Sequence, residues 1–216
     1  MSDLEKLFDS HTHHLNTNNR AIVQITGFSG ENLPPHFSFG IHPKETHFDL
    51  SKITEICAQL KEKPGFLAIG EIGLDMRYDS LQQQEELYTF QLKLAAEYRK
   101  PLILHCVNSW DRCRFLHERH APETTLIYHG FNKSSIVKQV LAYPKSMISI
   151  GESVRSNPAL QKAVLEIPPD RLLLETDMGE GQLIDTYRAV AEIKSISLQP
   201  LIDSLDQNAK RIFNYE

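Results

Sequence analysis

The chain has 216 residues, with 28 acidic against 23 basic side chains, a formal charge of −5 and 41% hydrophobic content. That is enough apolar material for a full core, and roughly 200 to 250 residues is a common length for a single barrel domain, so one domain over 1–216 is expected. The acidic balance excludes a general electrostatic pull toward nucleic acid. The charged start MSDLEKLFDS lacks the apolar stretch of a secretory signal, and no run approaches the ~18 apolar residues of a membrane span. A cytoplasmic protein without a membrane partner is expected.

In chain order, short apolar runs alternate with amphipathic ones. The strand-like runs are Leu7-Phe8, 21–26 (AIVQIT), 37–41 (FSFGI), 66–69 (FLAI), 102–104, 124–128 (TTLIY), 147–150 and 172–174. They are short and uniformly apolar, the pattern of parallel strands buried on both faces. Helical periodicity covers 49–62, 80–99, 109–119, 134–142, 157–166 and 183–197, and a last helix spans Leu201 to Ile212. In the helix over 80–99, Leu87, Phe90, Gln91, Leu94, Ala95 and Tyr98 form one stripe at i, i+3, i+4, i+7 spacing. Pro101 then stops it, and Asn157-Pro158 reads as a cap followed by proline at the first helical position. Eight strands alternating with helices predict a TIM-like (β/α)8 barrel, with a doubly wound open sheet as the alternative. The second strand follows the first closely, and the segment 27–35 (GFSGENLPP) is turn-rich. The first two crossover helices are therefore expected to be short or absent.

The ionisable residues fall at the carboxyl ends of these runs. His11 and His13 follow the first, His42-Pro43 ends the third, Glu71 the fourth, His105 the fifth and His129 the sixth, while Glu175 and Asp177 end the eighth. That edge of a parallel barrel is where active sites are built. Four of these histidines and two of these carboxylates converging there would have the composition of a binuclear metal site, with Glu71 able to bridge two cations through its two oxygens. His117-Glu118-Arg119-His120 lacks the spacing of a helical zinc site and reads as a charged helix terminus. Cys57, Cys106 and Cys113 are odd in number and without zinc-ribbon spacing, as expected of reduced thiols.

The segments DSHTHH, GIHP, GEIGLD, LHC, HGF and LLLETD occur in one order along the chain. They are joined by a Gln-rich helix leading to Phe90-Gln91-Leu92, by Pro168-Pro169-Asp170-Arg171-Leu172-Leu173, and by Asn208-x-x-Arg211-Ile212-Phe213. This pattern resembles, over essentially the whole length, the TatD family of metal-dependent deoxyribonucleases among the amidohydrolase-like barrels. The resemblance implies a hydrolase that cleaves phosphodiester bonds with water activated by two divalent metal ions, whether zinc, magnesium or manganese. It implies that His11, His13 and Asp177 hold one metal, that His105 and His129 hold the second, and that Glu71 bridges. Asp177 would also orient the attacking water and take its proton. His42 would face the phosphate or support a ligand, and Asp75 would hold a histidine ligand in its tautomer.

The sequence departs from the family pattern around the substrate. The arginine usual two residues after the fifth-strand histidine is replaced in His105-Cys106-Val107-Asn108. Asn132-Lys133 follows HGF, and Met178-Gly179-Glu180 follows ETD. Arg77, Tyr78, Lys133 and Arg155 are the replacements the chain offers for holding phosphate or stacking a base. DNA ends or a small phosphoester are the expected substrates. The alternatives are an amidohydrolase-like enzyme acting on a small ester, lactone or amide, and a metal-retaining nucleic-acid-binding protein without turnover. Oligomeric state is left open.

Overall fold

A computed structural model describes residues 3–15, 20–27, 32–45 and 47–215. Its eight strands are β1 (Asp9–Thr12), β2 (Ala21–Ile25), β3 (Phe37–Phe39), β4 (Phe66–Asp75), β5 (Leu102–Val107), β6 (Leu126–Tyr128), β7 (Ser146–Ile150) and β8 (Leu172–Leu174). Its helices are α1 (Leu50–Leu60), α2 (Leu81–Tyr98), α3 (Trp110–His120), α4 (Val137–Leu141), α5 (Pro158–Glu166), α6 (Leu183–Ile193) and α7 (Leu198–Phe213). The strands follow one another in chain order through a single parallel sheet, and an isolated bridge joins Thr12 to Asp177 beyond β8. This is the (β/α)8 barrel order; a doubly wound sheet reverses its strand order and is excluded. Every residue of β2, β4 and β7 is buried, which accounts for the apolar runs within them.

Among the described residues no helix separates β1 from β2 or β2 from β3, as the short first connections predict. Residues 28–31 of the turn-rich segment lie outside the described residues. No described helix is long and apolar enough to cross a membrane.

Several boundaries differ from the sequence reading. The first strand is Asp9–Thr12 rather than Leu7-Phe8, so His11 lies inside it. β4 and β5 run on through the polar residues Glu71, Asp75 and His105, which apolar pattern alone places after the strand. α6 stops at Ile193, and α7 begins at Leu198, ahead of the predicted Leu201.

The chain divides into two compact units, Met1–Ile22 with Tyr128–Glu216, and Val23–Ile127. In the first, buried polar groups tie strand to strand. Ser10 Oγ lies 2.7 Å from Ser149 Oγ and donates to the Leu174 carbonyl at 3.0 Å. The buried Tyr187 hydroxyl donates to the Phe8 carbonyl at 3.0 Å. Arg171 spans from the start of β8 to the carbonyls of Tyr143 and Ser146 at 2.6 and 2.7 Å. Asn208 of α7 donates to the carbonyls of Pro169 and Leu172. The α5 cap is the predicted one: Asn157 accepts from the Ala159 and Leu160 amides.

In the second unit, α2 buries Gln84, Leu87, Tyr88, Gln91, Leu92, Leu94 and Ala95. The predicted stripe is thus turned slightly, leaving Phe90 and Tyr98 half-buried. The two buried glutamines sit seven residues apart, two helical turns, on one face. Gln91 accepts from the Ile41 amide at 2.7 Å and donates to its carbonyl at 3.1 Å. Gln84 does the same for Asp75, at 2.7 and 3.1 Å. Each satisfies backbone at a strand end that an apolar residue would leave unpaired. His117, read as part of a charged terminus, is instead buried against the Thr124 hydroxyl at 2.9 Å.

The three cysteines are unbridged. Burial pushes the Cys57 thiol up to about 12 and raises Cys113 well above the usual thiol range. A hydrogen bond from the Cys113 thiol lowers half-buried Cys106. The thiolate is the nucleophile, so at pH 7.5 iodoacetamide is expected to label Cys106 first and the other two only on unfolding. Peptide mass spectrometry checks this; equal labelling of all three in the native protein would refute it.

Candidate metal-binding site

In the first unit, β1 and the segment after β8 bring ligands together. Asp177 lies in the left-handed region at φ 52°. Its amide donates to the His11 carbonyl at 2.9 Å, and its carbonyl accepts from the His13 amide at 3.1 Å. This main-chain exchange sets its Oδ1 3.6 Å from the Nε2 atoms of both His11 and His13. His129, just beyond β6, joins them: its ring centroid is 4.5 Å from that of His11, and His11, His129 and Asp177 offer ligand atoms within 4.8 Å of one another. Imidazole and carboxylate in such a group suit a divalent transition ion.

Buried carboxylates support these ligands. Asp9 accepts from the Thr176 amide at 3.1 Å and hydroxyl at 2.6 Å, and from the His11 amide at 3.3 Å. Burial pushes its carboxyl up to about 7 against those hydrogen bonds. Glu175 is fully buried; its Oε1 accepts from the Gly130 amide at 2.5 Å and lies 3.6 Å from His129 Nδ1. It holds the turn that carries His129. His14 Nε2 donates to the Gly179 carbonyl at 2.9 Å, fixing the segment after Asp177.

In the second unit, the carboxyl ends of β4 and β5 set Glu71 beside His105. His105 Nδ1 is 2.7 Å from Glu71 Oε1, and Nε2 is 2.9 Å from Asp75 Oδ2. Both ring nitrogens face carboxylates, which only accept; a metal ion held beside Glu71 would take the place of the hydrogen on Nδ1, while Nε2 keeps its hydrogen toward Asp75. Burial opposes ionisation of Asp75, but hydrogen bonds from Arg77 and His105 outweigh it and hold the carboxyl well below the carboxylate range.

His42 Nε2 lies 3.2 Å from His105 Nδ1 and 3.6 Å from Glu71 Oε1, close enough to count as a third ligand. Its own bonding argues otherwise. His42 Nδ1 accepts from the Lys44 amide at 3.0 Å, which leaves the hydrogen of a neutral ring on Nε2. His42 is thus a donor facing the ligands, suited to an anionic oxygen.

The residues named for the substrate fare differently. Arg77 forks onto both oxygens of Asp75, with Nε at 2.9 and 3.1 Å and a terminal nitrogen at 2.5 Å, instead of standing ready for phosphate. Tyr78 is 39% exposed, and Lys133 and Arg155 are exposed. Arg155 lines a groove of about 570 Å³ with Gln161, Asp185, Arg188 and Glu192. The supporting roles of Gln84, Gln91 and Thr176 escape sequence reasoning. For Gln91 the signal is polarity inside a stripe that periodicity marks as buried; Gln84 and Thr176 carry none.

A parallel (β/α)8 barrel with imidazole and carboxylate groups at the carboxyl ends of its strands has the composition of a metal-dependent hydrolase. The family model described as TatD related DNase matches residues 11–214, and the chain belongs to that family. It is 30% identical over 198 residues to an uncharacterized metal-dependent hydrolase, YabD, of Bacillus subtilis, covering 82% of this chain and 76% of that one. It is 33% identical over 199 residues to the 3'-5' ssDNA/RNA exonuclease TatD of Pantoea vagans, covering 81% and 76%. The crystal structure of YjjV, a TatD homologue from Escherichia coli K12, superposes with a TM-score of 0.83 at 23% identity, covering 98% and 99% of the two chains.

Proposed function

We propose that the chain hydrolyses phosphodiester bonds at the ends of single-stranded nucleic acid, using two divalent ions. His11, His13 and Asp177 would hold one, joined by His129, which the family resemblance sets with His105 on the second; Glu71 and His105 would hold the other. Such ions lower the pKa of bound water and neutralise charge on phosphoryl oxygens. The observation that carries the reading is Asp177: a carboxylate fixed by main-chain bonds on both sides and equidistant, at 3.6 Å, from two imidazole nitrogens. It would orient a water and accept its proton. His42, with hydrogen on Nε2, would donate to a phosphoryl oxygen. The name of the Pantoea relative, a 3'-5' ssDNA/RNA exonuclease, supports the substrate class.

The test is hydrolysis of end-labelled single-stranded DNA and RNA by metal-stripped protein resupplied in turn with magnesium, manganese and zinc. Release of mononucleotides only with metal supports the proposal. Turnover confined to small esters, lactones or amides overturns it. One observation favours that second reading: Val107 stands where the family has arginine, and Arg77 is engaged with Asp75, so neither position offers a guanidinium to phosphate.

Glu71 is the ligand whose two oxygens suit a bridging role, as the family resemblance implies. Glu71→Ala is therefore expected to lose at least one of two bound metals, measured by elemental analysis after dialysis. Two tightly held metals in the variant would refute bridging.

A further inference from the structure

We infer that Arg77 is a positioning residue for the metal ligand His105, acting through Asp75; the inference rests on the proposed metal site. The sequence position of Arg77, just past GLD, suits a phosphate contact, but the structure gives its guanidinium another partner. Its Nε reaches Asp75 Oδ1 at 2.9 Å and Oδ2 at 3.1 Å, its terminal nitrogen reaches Oδ2 at 2.5 Å, and its amide donates to Oδ1 at 2.9 Å. Asp75 is fully buried, whereas the Arg77 side chain is 61% exposed. A buried carboxylate is thus held from the solvent side by a planar fork that fixes the plane of both oxygens.

The remaining contacts show what that plane is for. Oδ2 receives the His105 Nε2 hydrogen at 2.9 Å, and the Gln84 side chain binds the Asp75 amide and carbonyl. Backbone and carboxylate of Asp75 are therefore fixed independently, the first by Gln84 and the second by Arg77. The imidazole can meet the carboxylate in only one ring orientation, the one that turns Nδ1 toward Glu71 at 2.7 Å. A carboxylate behind a histidine ligand is a general device. Here the carboxylate is itself clamped, and the exposed arginine two residues along is the clamp. Asp75 stands on the last position of β4, paired with Val107 of β5, and without the fork its carboxylate keeps only the Arg77 amide and His105 as partners.

The test follows zinc affinity by titration calorimetry and the His105 ring N–H by NMR of histidine labelled with nitrogen-15. Arg77→Ala should weaken zinc binding at least tenfold at one site and remove the exchange-protected His105 Nε2–H signal. Arg77→Lys keeps the charge without the fork and should recover only part of both. In an Asp75→Asn background, Arg77→Ala should cause no further loss, because its effect passes through Asp75. Three results would overturn the inference. One is a fall in melting temperature with the Nε2–H signal unchanged, which marks a structural turn clamp. Another is an unchanged zinc affinity with a raised KM for nucleic acid, which marks a phosphate contact. The third is an undiminished loss in the Asp75→Asn background. If the wild type binds no zinc yet the Nε2–H signal still depends on Arg77, the metal reading fails and the positioning of His105 stands.

Discussion

Asp177→Asn is expected to lower kcat/KM on single-stranded DNA at least ~100-fold, at the low end of what a positioned general base contributes, without unfolding the protein. The exchange removes the carboxylate charge and its proton-accepting capacity at the point 3.6 Å from His11 and His13 Nε2. It spares the rest of the local structure. The main chain of Asp177 makes the bonds to His11 and His13, and asparagine provides the same amide and carbonyl. The residue sits at φ 52°, a left-handed conformation that asparagine tolerates as well as aspartate does and that alanine adopts at a cost. Asparagine is for that reason a cleaner test than alanine. Thermal melting by circular dichroism within about 3 °C of wild type, together with lost turnover, is the expected pair of results. Turnover within threefold of wild type would remove Asp177 from the chemistry.

Gly73→Ala is expected to cost about 2 to 6 kcal/mol, the sum of a forbidden backbone conformation and an overpacked contact, against a total stability of about 5 to 15 kcal/mol. Gly73 has φ 152°, and a Cβ built there falls 1.9 Å from the His105 carbonyl oxygen and 2.9 Å from its carbonyl carbon. The obstruction is backbone of the neighbouring strand, not the tip of a movable side chain. β4 and β5 pair Gly73 directly with His105, so relief requires moving the strand that carries the ligand. The glycine in GEIGLD is thus a requirement of close strand approach beside Glu71 and His105. Urea denaturation checks it through a midpoint shift at unchanged slope. A midpoint equal to that of wild type would show that the strands can separate at no cost.

How far the site can be read from the residues depends on the range of the interaction. Strand and helix alternation is a local property, written in short apolar runs and a period of 3.6, and it places all eight strands within a few residues. It fails at the strand ends because β4 and β5 continue through buried Glu71 and Asp75 and half-buried His105, polar residues held there by partners and not by apolarity. The same limit explains Gln91. Its spacing marks it as buried, but only its bonds to Ile41, fifty positions away, show that its amide is why it is there.

Arg77 and His42 show the limit most clearly, because each has two chemically sensible roles that no spacing separates. An arginine after a strand can hold a phosphate or a carboxylate; its fork onto Asp75 decides for the carboxylate. A histidine after a strand can hold a metal or donate a hydrogen; the Lys44 amide on Nδ1 supports the donor. By itself, the sequence determined the barrel class, the strand edge at which the ionisable residues gather, and the family those motifs belong to, because residue type and order carry that information. Only the tertiary structure decided which atom of each residue faces which partner, because a hydrogen-bond partner is chosen by distance and direction across the fold and leaves no periodic mark on the chain.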